Sequence, residues 1–220
     1  FVRLCAGHFR RGMKLRHVRS GKTMAIHNPV LFMARDRELA EEAFPGDIVG
    51  IPNHGTLRIG DTLTEGEELR FLGVPSFAPE ILRRVNVKDA MRAKKLKEAL
   101  RQMAEEGVVQ VFSPIDGSRE IVGVVGALQL DVLKDRLDSE YQLPIDFEVS
   151  RFQLCRWITA DSKLDRDAFI ESHRGDMALD LDGSPVFMAP SAFMLNYEIQ
   201  RAPKVTFSDV KDYQRLTSAA

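Results

Sequence analysis

Glu41-Glu42-Ala43-Phe44-Pro45-Gly46-Asp47-Ile48-Val49-Gly50-Ile51, followed by Ile59-Gly60-Asp61-Thr62-Leu63, decides the fold of the N-terminal part of the chain. Two Gly-Asp turns are each followed at once by β-branched or apolar residues. A Pro-Gly-Asp corner bends the backbone at Gly46, where the missing Cβ makes the turn least costly. Asp47–Ile51 then reads as a short buried strand. No side chain in this segment is suited to bond-making chemistry, so the segment is corner architecture for a small β-barrel. Upstream stands Phe1-Val2-Arg3-Leu4-Cys5-Ala6-Gly7, then, after four residues, Gly12-Met13-Lys14-Leu15.

Working outward, residues 1–70 combine frequent glycines with short apolar runs. Strands are expected at 1–5, 13–18, 24–27, 47–51, 57–59 and 67–72, with one helical turn or a long loop over 35–43. Leu72-Gly73-Val74-Pro75-Ser76 reads as a linker, dividing the chain into a barrel over 1–73 and a second domain over 74–220. From Phe77 the pattern changes. Ile81–Val87 is a strand. Asp89 caps a helix reaching about Glu106, with Leu96, Ala99, Leu100 and Met103 at helical spacing and Gly107 as the stop. Val108–Phe112 and Glu120–Gly126 are strands joined by the turn Pro114–Ser118. A second helix carries Leu130, Leu133, Leu137 and Tyr141 on one side, and Ile145, Phe147 and Val149 alternate in a further strand. The order β-α-β-β-α-β is the ferredoxin-like split βαβ arrangement. After Trp157 come a helix near 165–173, strands near 177–182 and 185–189, a helix near 191–201 and an edge strand over 204–207. These elements complete the second domain. The fold class is therefore α+β and multidomain, with no internal repeat in the sequence.

The spaced motifs together resemble the translational GTPases, and among them the peptide chain release factor 3 family. The barrel segments match the strand-turn-strand and Ile-Gly-Asp-Thr of the family's second domain. Further hallmarks are Phe32-Met33-Ala34, Asn53-His54-Gly55-Thr56, Phe77-Ala78-Pro79-Glu80 with Arg83-Arg84, Glu105–Phe112 and Val122–Leu133. The resemblance covers residues 1 to about 205. It implies a translation-factor domain II barrel, N-terminally truncated, because the family's earlier barrel strands and its GTP-binding domain would precede Phe1. The implied parent protein binds GTP or GDP with magnesium in the cytoplasm. It promotes departure of class I release factors from the ribosome after peptide release. Its small-subunit RNA and protein contacts, and its own N-terminal GTP-binding domain, are the implied partners. The chain itself is expected to be a monomer whose Phe1–Cys5 edge is open to strand pairing with another copy. The alternatives are the matching part of an elongation factor G-like GTPase and a stand-alone protein-interaction module.

No catalytic, cofactor-binding or metal residues are expected in this chain. Gly21-Lys22-Thr23 imitates the end of a phosphate-binding loop, but Arg16 stands where the loop needs glycine and Pro29 stops the helix it would require. Asp180, Asp182 and Gly183 imitate a calcium loop, yet Ala178 and Ala189 occupy the two positions that should donate oxygen. The five histidines lack zinc spacing. Cys5 and Cys155 fit buried thiols rather than a disulfide framework. A net charge of −1 excludes a generically basic chain, so nucleic-acid contact must come from a local patch. The candidates are Lys14, Arg16, Arg19, His54 and Arg58 on the barrel, and Arg83, Arg84, Lys88, Arg92 and Lys95 in the basic segment Arg83–Arg101. No run is apolar enough to span a membrane.

Overall fold

Short strands broken by turns shape the first of two units, Phe1–Val74; the second is Pro75–Ala220. The structure is a computed structural model and describes residues 1–33, 36–53, 55–67, 69, 71 and 75–211. In the first unit these are β1 (Val2–Arg3), β2 (Phe9–Arg10), β3 (Lys14–His17), β4 (Thr23–Ala25), β5 (Val30–Met33), β6 (Asp36–Leu39), β7 (Glu42–Ala43), β8 (Ile48–Val49) and β9 (Leu63–Thr64). All pairings are antiparallel: β1 with β8, β2 with β7, β4–β3–β9, and β5 with β6. Phe9, Ile26, Ala40, Ala43 and Val49 form the barrel core, with Leu15 and Leu31 packed against it.

The Pro-Gly-Asp corner forms as its residues require. Gly46 takes φ +105°, its N–H donates to Leu4 O at 2.8 Å, and the Asp47 carboxylate accepts from the Phe44 N–H at 2.8 Å. Two expectations change. Residues 36–43 form no helical turn: β6 and β7 lie there, because β6 pairs back on β5 in a hairpin. No strand covers 57–59, because Asn53 Oδ1 accepts from the N–H groups of Gly55, Thr56 and Leu57 and curls that segment into a loop. The strand falls at β9 instead. The strand expected at 67–72 falls largely outside the described residues. At the N-terminus, β1 has β8 on one side.

The second unit contains β10 (Ile81–Val87), α1 (Ala93–Glu105), β11 (Gln110–Pro114), β12 (Ile121–Val124), α2 (Ala127–Ser139) and β13 (Ile145–Val149). It continues through β14 (Leu154–Ala160), α3 (Lys163–Ser172), β15 (Met177–Leu179), β16 (Pro185–Ala189), α4 (Ala192–Arg201) and β17 (Val205–Ser208). A single 3₁₀ turn, Ala90–Arg92, precedes α1. Gly107 ends that helix at φ +75°, and the Val108 N–H returns to Met103 O at 3.0 Å.

One eight-stranded sheet runs β13-β10-β12-β11-β15-β16-β14-β17. Its first half has the strand order of a split βαβ unit. Its second half, β14-α3-β15-β16-α4-β17, has the same element order and the mirrored strand order. The unit is thus two βαββαβ repeats joined edge to edge through β11 and β15, a duplication absent from the residue pattern. No strand is expected from sequence at β14, whose interior Arg156 and Thr159 weaken its apolar run, yet Cys155, Trp157 and Ile158 are buried there.

Register places the helices. Pro114 faces Ala178, so Phe112 and Ala178 share one side of the sheet while Val111 and Met177 share the other. Helices α1 and α2 cover the Val85, Val122 and Ile145 core, and α3 and α4 cover the Ile158, Phe187 and Val205 core, on that second side. Among the described residues no helix covers the opposite side. There Leu82, Phe112 and Ile121 of the first repeat join Cys155, Trp157, Val186 and Met188 of the second in one buried cluster. Phe112, Ala178 and Val186 of neighbouring strands link the two repeats, and Ala78 and Phe152 pack on the same cluster. Gly123 makes the closest approach: a Cβ there would lie 2.4 Å from Pro79 Cγ and 2.9 Å from Phe112 Cε2.

Candidate nucleic-acid interface

On the barrel, β3 presents Lys14 and Arg16 on one face, two residues apart. Lys14 is exposed, and Arg16 is half-buried between Thr23 and Thr64. Arg19 and Arg58 are bound into the barrel itself. Arg19 grips Asp61 with two prongs, Nε to Oδ1 at 2.6 Å and Nη2 to Oδ2 at 2.8 Å, and donates again to Thr56 O at 3.0 Å. The Arg58 N–H donates to Asp61 Oδ2 at 2.7 Å. His17 Nε2 lies 2.8 Å from the same oxygen, within hydrogen-bond distance but without its directionality. Burial pushes the Asp61 carboxyl up, but the Arg19, Arg58 and His17 contacts outweigh it and hold the group below its ordinary range. The Ile-Gly-Asp-Thr motif is therefore a clasp that ties three turns together, and a phosphate at Arg19 would have to share that clasp. His54 lies outside the described residues.

In the second unit the candidates separate into three groups. Arg83 and Arg84 are consecutive on β10, so they point to opposite sides of the sheet and cannot grip one phosphate together. Arg83 donates to Leu82 O at 2.9 Å, and Arg84 Nε is buried with no hydrogen-bond partner. Arg92 and Lys95 come together at the end of α2, donating to Gln142 O at 2.7 Å and Tyr141 O at 2.6 Å, where cations complement the helix C-terminus. Lys88 stands 4.0 Å from Asp146, both exposed.

Sequence reasoning missed the most outward basic stripe. Lys94, Lys97 and Arg101 stand at i, i+3 and i+7 on α1, on the side away from buried Leu96, Leu100 and Met103. Their spacing from Leu96, Leu100 and Met103 is set within α1 itself, so the stripe is readable from the helical period of about 3.6 residues, whereas Arg92 falls in the 3₁₀ turn before the helix. Lys97 meets Glu120 at 2.9 Å and Arg101 meets Glu105 at 3.3 Å. Lys94, Lys97 and Arg101 are exposed while Glu120 and Glu105 are largely buried, so a phosphate would meet the outer N–H groups of these cations beside the pairs.

The remaining polar clusters are structural. Lys211 is buried with its Nζ 2.7 Å from Asp180 Oδ2 and 2.6 Å from Asp182 Oδ2, so a lysine already neutralises the calcium-like pair. Trp157 Nε1 donates to Asp180 Oδ2 at 2.9 Å. Among the described residues no group of three or more potential metal ligands converges. Burial pushes the Cys155 thiol up to about 12, which makes it unreactive. Cys5, by contrast, is exposed, because its place after β1 leaves it outside the barrel core.

Residues 71–198 match the model of the class II release factor RF3 C-terminal domain, and residues 1–66 match that of elongation factor G domain 2. The first match alone spans more than half of the chain. This chain belongs to the class II release factor family. Both matched modules are translation-factor domains of the translational GTPase type, and together they account for the barrel followed by the α+β unit. A crystal structure from Thermus thermophilus shares the fold with a TM-score of 0.54 at 24% identity, over 71% of this chain and 24% of that one. The chain therefore spans about a quarter of that protein's length. The match stops before the fold does: β17 and Lys211 lie beyond residue 198, yet β17 pairs with β14 and Lys211 is bound between Asp180 and Asp182. No described helix is long and apolar enough to cross a membrane.

Proposed function

We propose that this chain is the ribosome-binding part of a translation-termination GTPase of the cytoplasm, whose action promotes release and recycling of class I release factors after peptide release. The observation that carries this reading is the match to the class II release factor C-terminal domain over 71–198, on a unit whose helix α1 presents an exposed basic stripe. In this reading the parent protein's N-terminal domain binds GTP or GDP with magnesium. The barrel and α+β unit contact small-subunit RNA and protein, and they bring no catalytic group of their own. The proposed RNA contacts are Lys94, Lys97 and Arg101, supported by Lys88, with Lys14 and Arg16 on the barrel.

Binding of the chain to purified small ribosomal subunits, measured as salt rises, tests this. Each neutralised phosphate steepens the log–log slope by roughly one. Replacing Lys94, Lys97 and Arg101 with alanine should remove about that much per true contact. An unchanged slope would assign the stripe to solvent. The match of residues 1–66 to elongation factor G domain 2 favours one second reading, the corresponding part of an elongation factor G-like protein. The full-length parent separates the two by whether it ejects class I release factors from terminated ribosomes.

A further inference from the structure

The outward side of α2 carries apolar and acidic side chains that are exposed among the described residues. Leu133 and Leu137 are fully buried beneath this helix. At about 100° per residue, Leu128 and Val132 lie on the other side, and they are 78% and 51% exposed. Val125, just before the helix, is 60% exposed. Asp131, Asp135 and Asp138 run along the same side, all exposed. The nearby cations are taken: Lys134 bonds Asp146 at 2.9 Å, and Arg136 is held by Glu140 and Glu106 at 2.7 and 2.9 Å. Among the described residues none of the three aspartates makes an ion pair.

This surface costs the isolated chain stability twice. Apolar area stays in water, and like charges at i, i+4 repel. The fold does not require it. In the second repeat, α4 begins at Ala192 as α2 begins at Ala127, and the positions matching Asp131 and Asp135 are the amides Asn196 and Gln200. Phe193 and Tyr197 occupy the places of Leu128 and Val132. The apolar pair therefore recurs and the acidity does not.

We infer that the outward face of α2 docks a cationic amphipathic protein segment, its apolar side on Leu128 and Val132 and its lysines or arginines against Asp131, Asp135 and Asp138. Charge decides the class of partner, since three carboxylates repel a phosphate backbone. This surface is separate from the basic stripe of α1, and the inference does not depend on RNA binding there.

The test uses a fluorescein-labelled amphipathic helix of about 14 residues, with leucines at helical spacing and lysines elsewhere, titrated with the chain and followed by anisotropy. A peptide with glutamate in place of lysine is the charge control. Asp131→Asn/Asp135→Asn/Asp138→Asn should weaken lysine-peptide binding roughly tenfold, as expected for three exposed charge pairs. Leu128→Ala/Val132→Ala should weaken it by about as much through lost apolar contact. Glu65→Gln/Glu67→Gln/Asp161→Asn makes the same change of net charge elsewhere and should shift affinity less than about twofold. Thermal midpoints confirm that each variant folds. No binding by the lysine peptide, equal losses in the α2 and control triples, or equal binding of the glutamate peptide would each overturn the assignment. So would unlabelled single-stranded RNA displacing the peptide while the alanine pair binds that RNA less well.

Discussion

Replacing Lys211 with methionine tests the lock that closes the second unit. The Nζ atom lies 2.7 and 2.6 Å from two carboxylates, with the Lys211 side chain 5% and that of Asp180 9% exposed. Removing one partner of a buried pair typically costs about 3–5 kcal/mol, because the other charge is left uncompensated. Two features reduce that here. Asp180 still accepts N–H bonds from Trp157, Asp182 and Ser184, and Asp182 is 40% exposed and readily hydrated. The expected loss is therefore about 2–3 kcal/mol, a fall in thermal midpoint of roughly 4–12 °C at about 2–4 °C per kcal/mol. Circular dichroism melts at neutral pH read it directly. Asp180→Asn/Lys211→Met should recover most of the loss, because a neutral buried pair needs no counter-charge. Burial lowers the Lys211 pKa, but Asp180 and Asp182 more than offset it and leave the group above its ordinary 10.5. A raised folded value means that the stabilisation is complete below pH 10.5 and is lost as pH climbs through the folded pKa. A single-variant loss under about 1 kcal/mol, or a double variant no better than the single, would refute the reasoning.

Gly123→Ala should destabilise by about 2–3 kcal/mol, because the new methyl would sit 2.4 Å from Pro79 Cγ; adding Pro79→Ala should restore part of it in a urea titration. Asp61 has a depressed folded pKa, so its contribution is full above the ordinary 3.8 and lost as pH falls through the folded value. Asp61→Asn should therefore flatten barrel stability across that acid range, and an unaltered acid profile would show that the clasp does not matter. Truncation after Arg201 removes β17 and Lys211, and should expose the Ile158 and Phe169 core to a hydrophobic dye while leaving the barrel folded.

The first βαββαβ repeat was legible because its helices show apolar spacing and its strands alternate between glycine stops. The Gly46 corner was equally plain, since few residues tolerate its φ. The second repeat was half-hidden: Arg156 inside β14 breaks the apolar run that would have marked a central strand. The duplication lies in strand order, and strand order is a long-range property with no local signature. At the candidate interface the sequence located the basic segment but not its working side. Lys88 and Arg92 precede α1, while Lys94, Lys97 and Arg101 lie opposite its buried face, so anchoring the wheel on Leu96, Leu100 and Met103 would have found them. Nor could spacing show that Arg19 is committed to Asp61, 42 residues away.

The cluster shared by the two repeats has a consequence for the order of synthesis. When β13 has left the ribosome, the first repeat holds every strand and helix of a complete split βαβ fold. Ala78 and Pro79 lie against its helix-free side, but Leu82, Phe112 and Ile121 there lack their cluster partners Cys155, Trp157, Val186 and Met188 until the second repeat arrives. Val149 and Ser208 are 59 positions apart. At about 5–20 residues per second the nascent chain carries that apolar face for roughly three to twelve seconds. A finished topology is thus a sticky intermediate, and residues 81–149 produced alone should aggregate while the whole second unit stays soluble.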